Sequence, residues 1–192
     1  TGATSGLGLE AAVTSTRVTD TAKEQRFNPL SASGSAALKK DRWTGGFDIV
    51  LAAPAHQSHP LAHITLDHNS LTGVGGMAFE TPNLAFAKDA LQPDDITPLI
   101  EDFVQSPVTG SADFTGRFDW SPSLPEGGQS SGRLIVPNID FVSPAGPVTG
   151  LKGAIDFTSL VPLTTAPGQA LAIDRLDTVT ALTDFGVTFM LD

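Results

Sequence analysis

The sequence predicts a mainly β fold, an antiparallel sheet with one short amphipathic helix. Three observations support this prediction. Apolar and polar residues alternate in short segments along nearly all of the 192 residues, and a period of two is typical of a strand with one apolar face. Glycine and proline separate these segments, as they do in turns. A single segment has helical spacing, so the strand–helix alternation of a parallel sheet is missing.

The glycine-rich start, residues 1–8, matches the nucleotide-binding pattern of short-chain dehydrogenases. That pattern requires a helix after the glycines. Here β-branched residues follow, which favour a strand, and the chain has no tyrosine to serve as the acid of such enzymes. We therefore predict a strand whose apolar face carries Leu7, Leu9, Ala11 and Val13.

Four later segments alternate clearly enough to assign their faces. Residues 43–51 and 112–120 place aromatic and aliphatic residues on one side and residues such as Asp48 and Arg117 on the other. Residues 154–157 and 185–191 repeat the pattern near the end of the chain. Each of these segments is predicted to be a strand with one apolar and one polar face.

Residues 94–104 carry the helical spacing, because their apolar residues recur every three or four positions: Ile96, Leu99, Ile100, Phe103 and Val104. Asp94 or Thr97 can cap the start, and Pro98 suits a first turn. We expect Ile96, Ile100 and Phe103 to lie against the sheet. The acidic residues of this segment are interpreted as a solvated face.

Charge and composition exclude several functions. The net charge is −10, and lysine and arginine are scattered rather than clustered, so nucleic-acid binding is not predicted. The absence of cysteine excludes disulfides and thiol chemistry. No apolar run reaches the ~18 residues of a membrane span. The chain begins at Thr1 without a signal sequence, and we expect residues 1–192 to be one segment of a longer protein.

No set of residues predicts catalysis, a cofactor or a metal. The four histidines, His56, His59, His63 and His68, fall near Pro54 and Pro60, which disfavour a helix that would bring them together. A loop leading into a strand is the preferred interpretation. No nucleophile elbow, phosphate-binding loop or zinc-protease motif is present. The chain is therefore not expected to be an enzyme.

The apolar faces of the strands must be covered or occupied. They can pack on a second sheet, pack on the helix, or line a groove for apolar ligands. The pattern alone does not separate these cases. A structural or interaction scaffold with a closed apolar core thus stands as an alternative to a ligand-binding groove.

Several segments in a fixed order resemble one family: residues 68–75, 84–86, 91–98, 110–120, 150–153 and 160–169. Together they resemble the YdbH-like family of AsmA-like and TamB-like proteins. The resemblance implies an extended, twisted sheet folded into a groove that carries phospholipids between bacterial membranes. It also implies a periplasmic location within an inner-membrane-anchored envelope protein, with membrane contact through other parts of the chain. A small outer-membrane lipoprotein that extends the groove is the implied partner.

On this interpretation nine residues are predicted to share the lipid-binding lining of the groove: Phe114, Phe118, Trp120, Ile155, Phe157, Leu171, Ile173, Val187 and Phe189. The closing segment from Phe185 to Leu191 has no charge before Asp192, and it has no lysine, proline or bulge that would protect an edge. We therefore predict an unpaired edge from Val187 to Leu191, through which the chain self-associates.

Overall fold

The computed structural model describes residues 8–53 and 60–192. Eleven strands of these residues form a single open antiparallel sheet in which strand order follows the chain, except that β9 and β10 both pair with β8. The predicted mainly β, antiparallel architecture with one short helix is confirmed. The strands are β1 (Gly8–Val18), β2 (Leu30–Lys39), β3 (Arg42–Leu51), β4 (Pro60–Asn69), β5 (Gly75–Phe86), β6 (Gln105–Trp120), β7 (Gly128–Ser143), β8 (Gly146–Leu160), β9 (Leu163–Thr165), β10 (Gln169–Leu176) and β11 (Leu182–Phe189).

A two-residue turn shows how the chain reverses between strands. Lys40 and Asp41, between β2 and β3, both have positive φ, 49° and 66°. Two such residues in succession match the right-handed twist of the strands they connect. The Asp41 carbonyl also accepts a hydrogen bond from the Ser70 amide at 2.7 Å, which ties this turn to the next one along the same side of the sheet.

The two faces of the sheet differ in chemistry. On the polar face, oppositely charged residues of neighbouring strands pair, such as Arg133 with Asp156 and Lys152 with Asp174, each at 2.6 Å. These side chains are about half exposed, so each pair contributes at most ~1 kcal/mol. The other face is apolar. Residues that pair across strands share a face of the sheet. Leu38 of β2 pairs with Trp43 of β3, so the apolar face continues from one strand to the next.

The best-packed region lies where β2 to β6 meet the connection between β5 and β6. Residues 92–104 of that connection, here called the strap, contain helix α1 (Pro93–Ile96) and a 3₁₀ turn at Pro98–Ile100. The buried residues of this region come from β3, β4, β5, the position just before the strap, and β6: Leu51, Leu61, Phe86, Leu91, Val108 and Ala112. The strap therefore covers part of the apolar face and fills it with side chains.

The predicted continuous helix over residues 94–104 is wrong in one respect. Thr97 is extended, with φ −140° and ψ 123°, because a residue that precedes proline is sterically disfavoured in the helical region, and Pro98 follows it. Thr97 then caps the 3₁₀ turn by accepting a hydrogen bond from the Leu99 amide. This break changes which side chains face the sheet.

The prediction that Phe103 packs on the sheet is also wrong. Phe103 is 69% exposed, whereas Ile96 and Val104 pack against the buried cluster. Ile100 faces the cavity described below. Because the helix is interrupted at Thr97, the side chain that faces the sheet at the end of the strap is that of Val104 and not that of Phe103.

The described part of the chain leaves two outer edges of the sheet without a paired strand, one on β1 and one on β11. The predicted unpaired edge is therefore present along β11 as far as Phe189. Beyond it, the Leu191 amide donates to Thr165 Oγ1 and the Leu191 carbonyl accepts from the Thr165 amide, both at 2.9 Å. These bonds lie on the side of the chain that faces β9 and β10, so they do not cover the outer edge. Self-association through the remaining edge stays a prediction.

Candidate functional site

The apolar face at the centre of the sheet is built by residues that lie opposite one another on neighbouring strands. Phe114 of β6 lies opposite Leu134 of β7, which lies opposite Ile155 of β8. Phe157, two residues beyond Ile155, therefore points to the same side. The predicted residues of β6 and β8 are thus brought together on one face, and Phe118 and Trp120 continue it along β6 toward the start of β7.

The predicted residues of the last two strands extend the same face. Leu171 lies opposite Gly153 on one side and Val187 on the other. Ile173 lies opposite Phe185, and Phe189 lies opposite Gln169. Of the nine residues, eight are partly buried, and Val187 is exposed at 42%. The structure therefore places all nine on one partly accessible face. Their role in binding lipid stays a prediction.

Aromatic rings form a continuous patch in the middle of this face. The ring of Phe79 lies 5.3 Å from that of Phe114 and 6.0 Å from that of Phe118, and Phe114 lies 6.1 Å from Phe157. These separations are typical of favourable aromatic pairs. The sequence prediction omitted Phe79 as a lining residue, although its alternation with Met77 already placed both side chains on one face of β5.

Glycines across from the rings leave room for them. Gly116 lies opposite Phe79, and a Cβ at Gly116 would collide with that ring. A Cβ at Gly132 would come within 3.1 Å of both Phe114 and Leu160. Because these positions lack side chains, the neighbouring aromatic rings can lie across the strands rather than stand between side chains.

Beside the strap the apolar face deepens into a cavity of about 480 Å³. One wall is the strap, and the others belong to β5, β6, β7, β8 and β10. Thr97 is the only polar residue among the described residues that line it. Its lining includes Ile96, Ile100, Val104, Leu134, Ile139 and Ile155. A volume of this size accommodates a ligand of small-molecule dimensions, and its chemistry suits an alkyl chain.

The polar face holds a second depression, of about 710 Å³, between Arg42 and Arg117. Both guanidinium groups are already engaged, Arg42 by Asp67 and Arg117 by Asp119. The hydrogen bonds from Arg42 hold the pKa of the Asp67 carboxyl below its usual value. These groups therefore form ordinary surface ion pairs.

The histidines do not come together in the described part of the chain. His56 and His59 lie outside the described residues. His63 contacts Asp48 on the polar face, and His68 contacts Trp120 on the apolar face. Among residues 8–53 and 60–192, no three histidine, aspartate or glutamate side chains are arranged to hold a metal ion.

These features define a class of protein: an open antiparallel sheet with one polar face and one partly accessible apolar face. Within the described residues, no helix has the length and apolar character needed to cross a bilayer. The chain belongs to the YdbH-like family, described as intermembrane phospholipid transport protein YdbH, which matches residues 3–192. The predicted family is thereby confirmed, and it is a family of phospholipid transport. No curated protein and no solved structure gives a significant match to the chain.

Proposed function

We propose that this chain is a non-catalytic segment of a periplasm-spanning bridge that carries phospholipids between the inner and outer membranes. The observation that carries the proposal is the continuous apolar face from β5 to β11, which no second sheet of the described residues covers. Membership of an intermembrane phospholipid transport family supplies the ligand class. Acyl chains would lie on this face while head groups stay in water.

The chemistry of the face suits a track for acyl chains. Transfer of one CH₂ group from water to an apolar surface is worth about 0.8 kcal/mol, and this gain does not depend on any single side chain. Eight of the nine proposed lining residues are partly exposed, so apolar surface remains for a ligand to cover. A mobile alkyl chain requires a surface that is apolar and continuous rather than one with fixed polar contacts.

The wider setting also belongs to the proposal. Residues 1–192 would be one groove segment of a longer, inner-membrane-anchored envelope protein, and other parts of that protein would contact the membrane. A small outer-membrane lipoprotein would extend the groove. No cofactor is required, since movement along an apolar surface involves no bond making or breaking.

A structural scaffold with a closed core is the second candidate. The buried cluster beneath the strap favours it, since Leu51 and Val108 are each 1% exposed and Leu91 is 2% exposed. In this case the remaining apolar face would be covered by another part of the protein and would not bind lipid.

Native mass spectrometry of the purified chain, with lipid analysis, separates the two candidates. Phospholipid retained by the chain supports transport, and its absence supports the scaffold. Phe114→Asp should reduce retention because it places a charge on the apolar face. Thr115→Asp is the matched control, since Thr115 is exposed on the polar face. Equal retention by both variants, with both folded by circular dichroism, would contradict binding on this face.

A further inference from the structure

The strap divides the apolar face into two regions of different accessibility. On one side, at the end of β3 and the start of β4, Leu51 and Leu61 are 1% and 6% exposed, and Leu30 packs against this buried cluster. These side chains are already covered by protein, so they offer little apolar surface to a ligand. On the other side lies the cavity of about 480 Å³, walled by the strap and by strands as far as β10.

Polar contacts hold the strap over the filled region. The Asn28 amide donates to the Ile96 carbonyl at 2.8 Å, and its side chain donates to the Asp94 and Asp95 carbonyls. Thr97 Oγ1 donates to the Arg26 carbonyl at 2.6 Å. These bonds join the strap to the segment before β2, so its position over the buried cluster is fixed by directional contacts.

The first residue of the strap is anchored to β6. Gln92 Oε1 accepts from the Val108 amide at 2.6 Å, and Gln92 Nε2 donates to the Val108 carbonyl at 3.1 Å. The side chain thus takes the place of a neighbouring strand for that residue. The contacts at residues 92–97 fix the first half of the strap, and β6 begins directly after its last residue. Ile96, Ile100 and Val104 form one wall of the cavity.

We infer that the strap creates a defined station for a phospholipid acyl chain, enclosed between strap residues 96–104 and β5 to β10, and closes the face around Leu51 and Leu61. This inference rests on the proposed function and adds where the chain binds and which element shapes the site. The cavity is the occupied region because its lining is apolar apart from Thr97. An acyl tail can enter it without leaving a polar group unpaired.

Photolabelling of the 192-residue chain tests the inference. The protein is incubated with vesicles of phosphatidylethanolamine and phosphatidylglycerol that carry a small fraction of phosphatidylcholine with a diazirine in one acyl chain. After irradiation, adducts are mapped by peptide mass spectrometry. We expect adducts at residues 134–141 and 151–155 and none at residues 49–52.

Each outcome bears on one of the two proposals. Adducts at residues 49–52 as frequent as those at 134–141 would overturn the station while the proposed function stands. Adducts confined to the far part of the face, around Phe118 and Trp120, would do the same. No adduct anywhere on the apolar face would overturn the proposed function itself.

A matched pair of strap variants adds a second readout. Ile100 lines the cavity, whereas its neighbour Leu99 is 53% exposed. Ile100→Asp should reduce labelling at residues 134–141 severalfold, and Leu99→Asp should leave it unchanged. Equal labelling of both folded variants would overturn the role of the strap as a wall of the site.

Discussion

Trp120 donates its indole N–H to Nδ1 of His68 at 3.1 Å, across a glycine that lies between them in the sheet. Gly75 of β5 pairs with His68 on β4 and with Trp120 on β6. The two rings meet above it with centroids 5.9 Å apart. Because Nδ1 accepts this bond, the neutral imidazole carries its proton on Nε2. The bond satisfies the polar edge of Trp120 on an otherwise apolar face.

The first prediction concerns Gly75. A Cβ there would lie 2.6 Å from the Trp120 indole, so Gly75→Ala should displace the ring and break its bond to His68. We expect a loss of about 1–3 kcal/mol in the free energy of unfolding, together with a shift in tryptophan fluorescence, both measured in urea titrations.

Gly186→Ala is the control for that substitution. Its added Cβ would meet only the Leu171 carbonyl oxygen, at an ordinary 3.6 Å. We expect its free energy of unfolding to stay within about 0.5 kcal/mol of the parent. Similar losses in the two glycine variants would show that strand flexibility, rather than the Trp120 contact, determines the effect.

The second prediction concerns neighbouring strap residues. Phe103→Ala should change the free energy of unfolding by less than about 0.5 kcal/mol, because the ring is 69% exposed. Val104→Ala should cost about 1–2 kcal/mol, since Val104 packs against the buried cluster. Thermal or urea unfolding measures both. A larger cost at Phe103 than at Val104 would contradict the described orientation of the strap.

The third prediction concerns the anchor of the strap. Gln92→Ala removes the acceptor of the Val108 amide and the donor to the Ala87, Leu91 and Val108 carbonyls. Leaving such groups unsatisfied should cost about 1–3 kcal/mol. Hydrogen exchange at the Val108 amide should accelerate, which is a local readout of a released strap.

Two further variants refine the Gln92 experiment. Gln92→Glu keeps an acceptor for the Val108 amide but, when ionised, has no donor for the three carbonyls, so we expect it to destabilise the strap at neutral pH as well. Gln105→Ala, at an exposed position, should have little effect. A stable Gln92→Glu variant at pH 7 would mean that the amide donors are not needed.

The fourth prediction concerns pH. Asp20 accepts hydrogen bonds from the Arg26 side chain and from the backbone amides of Arg26 and Ala22. These bonds hold the pKa of the Asp20 carboxyl well below its usual range. A group whose pKa is lower in the folded state stabilises that state above its unfolded pKa of about 4, and this stabilisation is lost as the pH falls below that value.

Asp20→Asn tests this dependence. The variant should be less stable than the parent at pH 7, and the difference should shrink as the pH falls from about 4 toward 2. Urea unfolding across this range measures the difference. Because the Arg26 carbonyl accepts a hydrogen bond from Thr97, the strap should also exchange faster in the variant. A gap that stays constant with pH would contradict the role of the Asp20 charge.

The strands could be predicted because apolar and polar residues alternate within each strand, and this local pattern identifies its two faces. Residues 43–51 and 112–120 place apolar side chains at every second position, and the sheet follows that pattern in β3 and β6. The strap was harder, since the spacing of Ile96, Ile100 and Phe103 suits a continuous helix. A local signal against a continuous helix was also present, because Pro98 disfavours a helical conformation at Thr97. In the structure this steric effect outweighs the helical spacing of the apolar residues.

The candidate site depends on pairing between strands, which alternation does not specify. Phe79 joins Phe114 and Phe118 only because β5 pairs with β6 in one register. Leu134 lies between Phe114 and Ile155 for the same reason. The lining set of a sheet is therefore a property of long-range register, whereas the face of each strand is local.

Because the strands lie in the sheet in nearly the same order as in the chain, the width of the sheet grows with each hairpin. Each hairpin contacts essentially the one before it and the one after it, so it adds about 10 Å of width, twice the ~4.8 Å strand spacing. The ten strands on the path from β1 to β11 thus cover about 43 Å. Inserting or deleting one hairpin would therefore widen or narrow the apolar surface by about 10 Å without changing how the other strands pair. In such an architecture the length of the apolar surface depends on the number of hairpins, and duplication of a hairpin is enough to extend it.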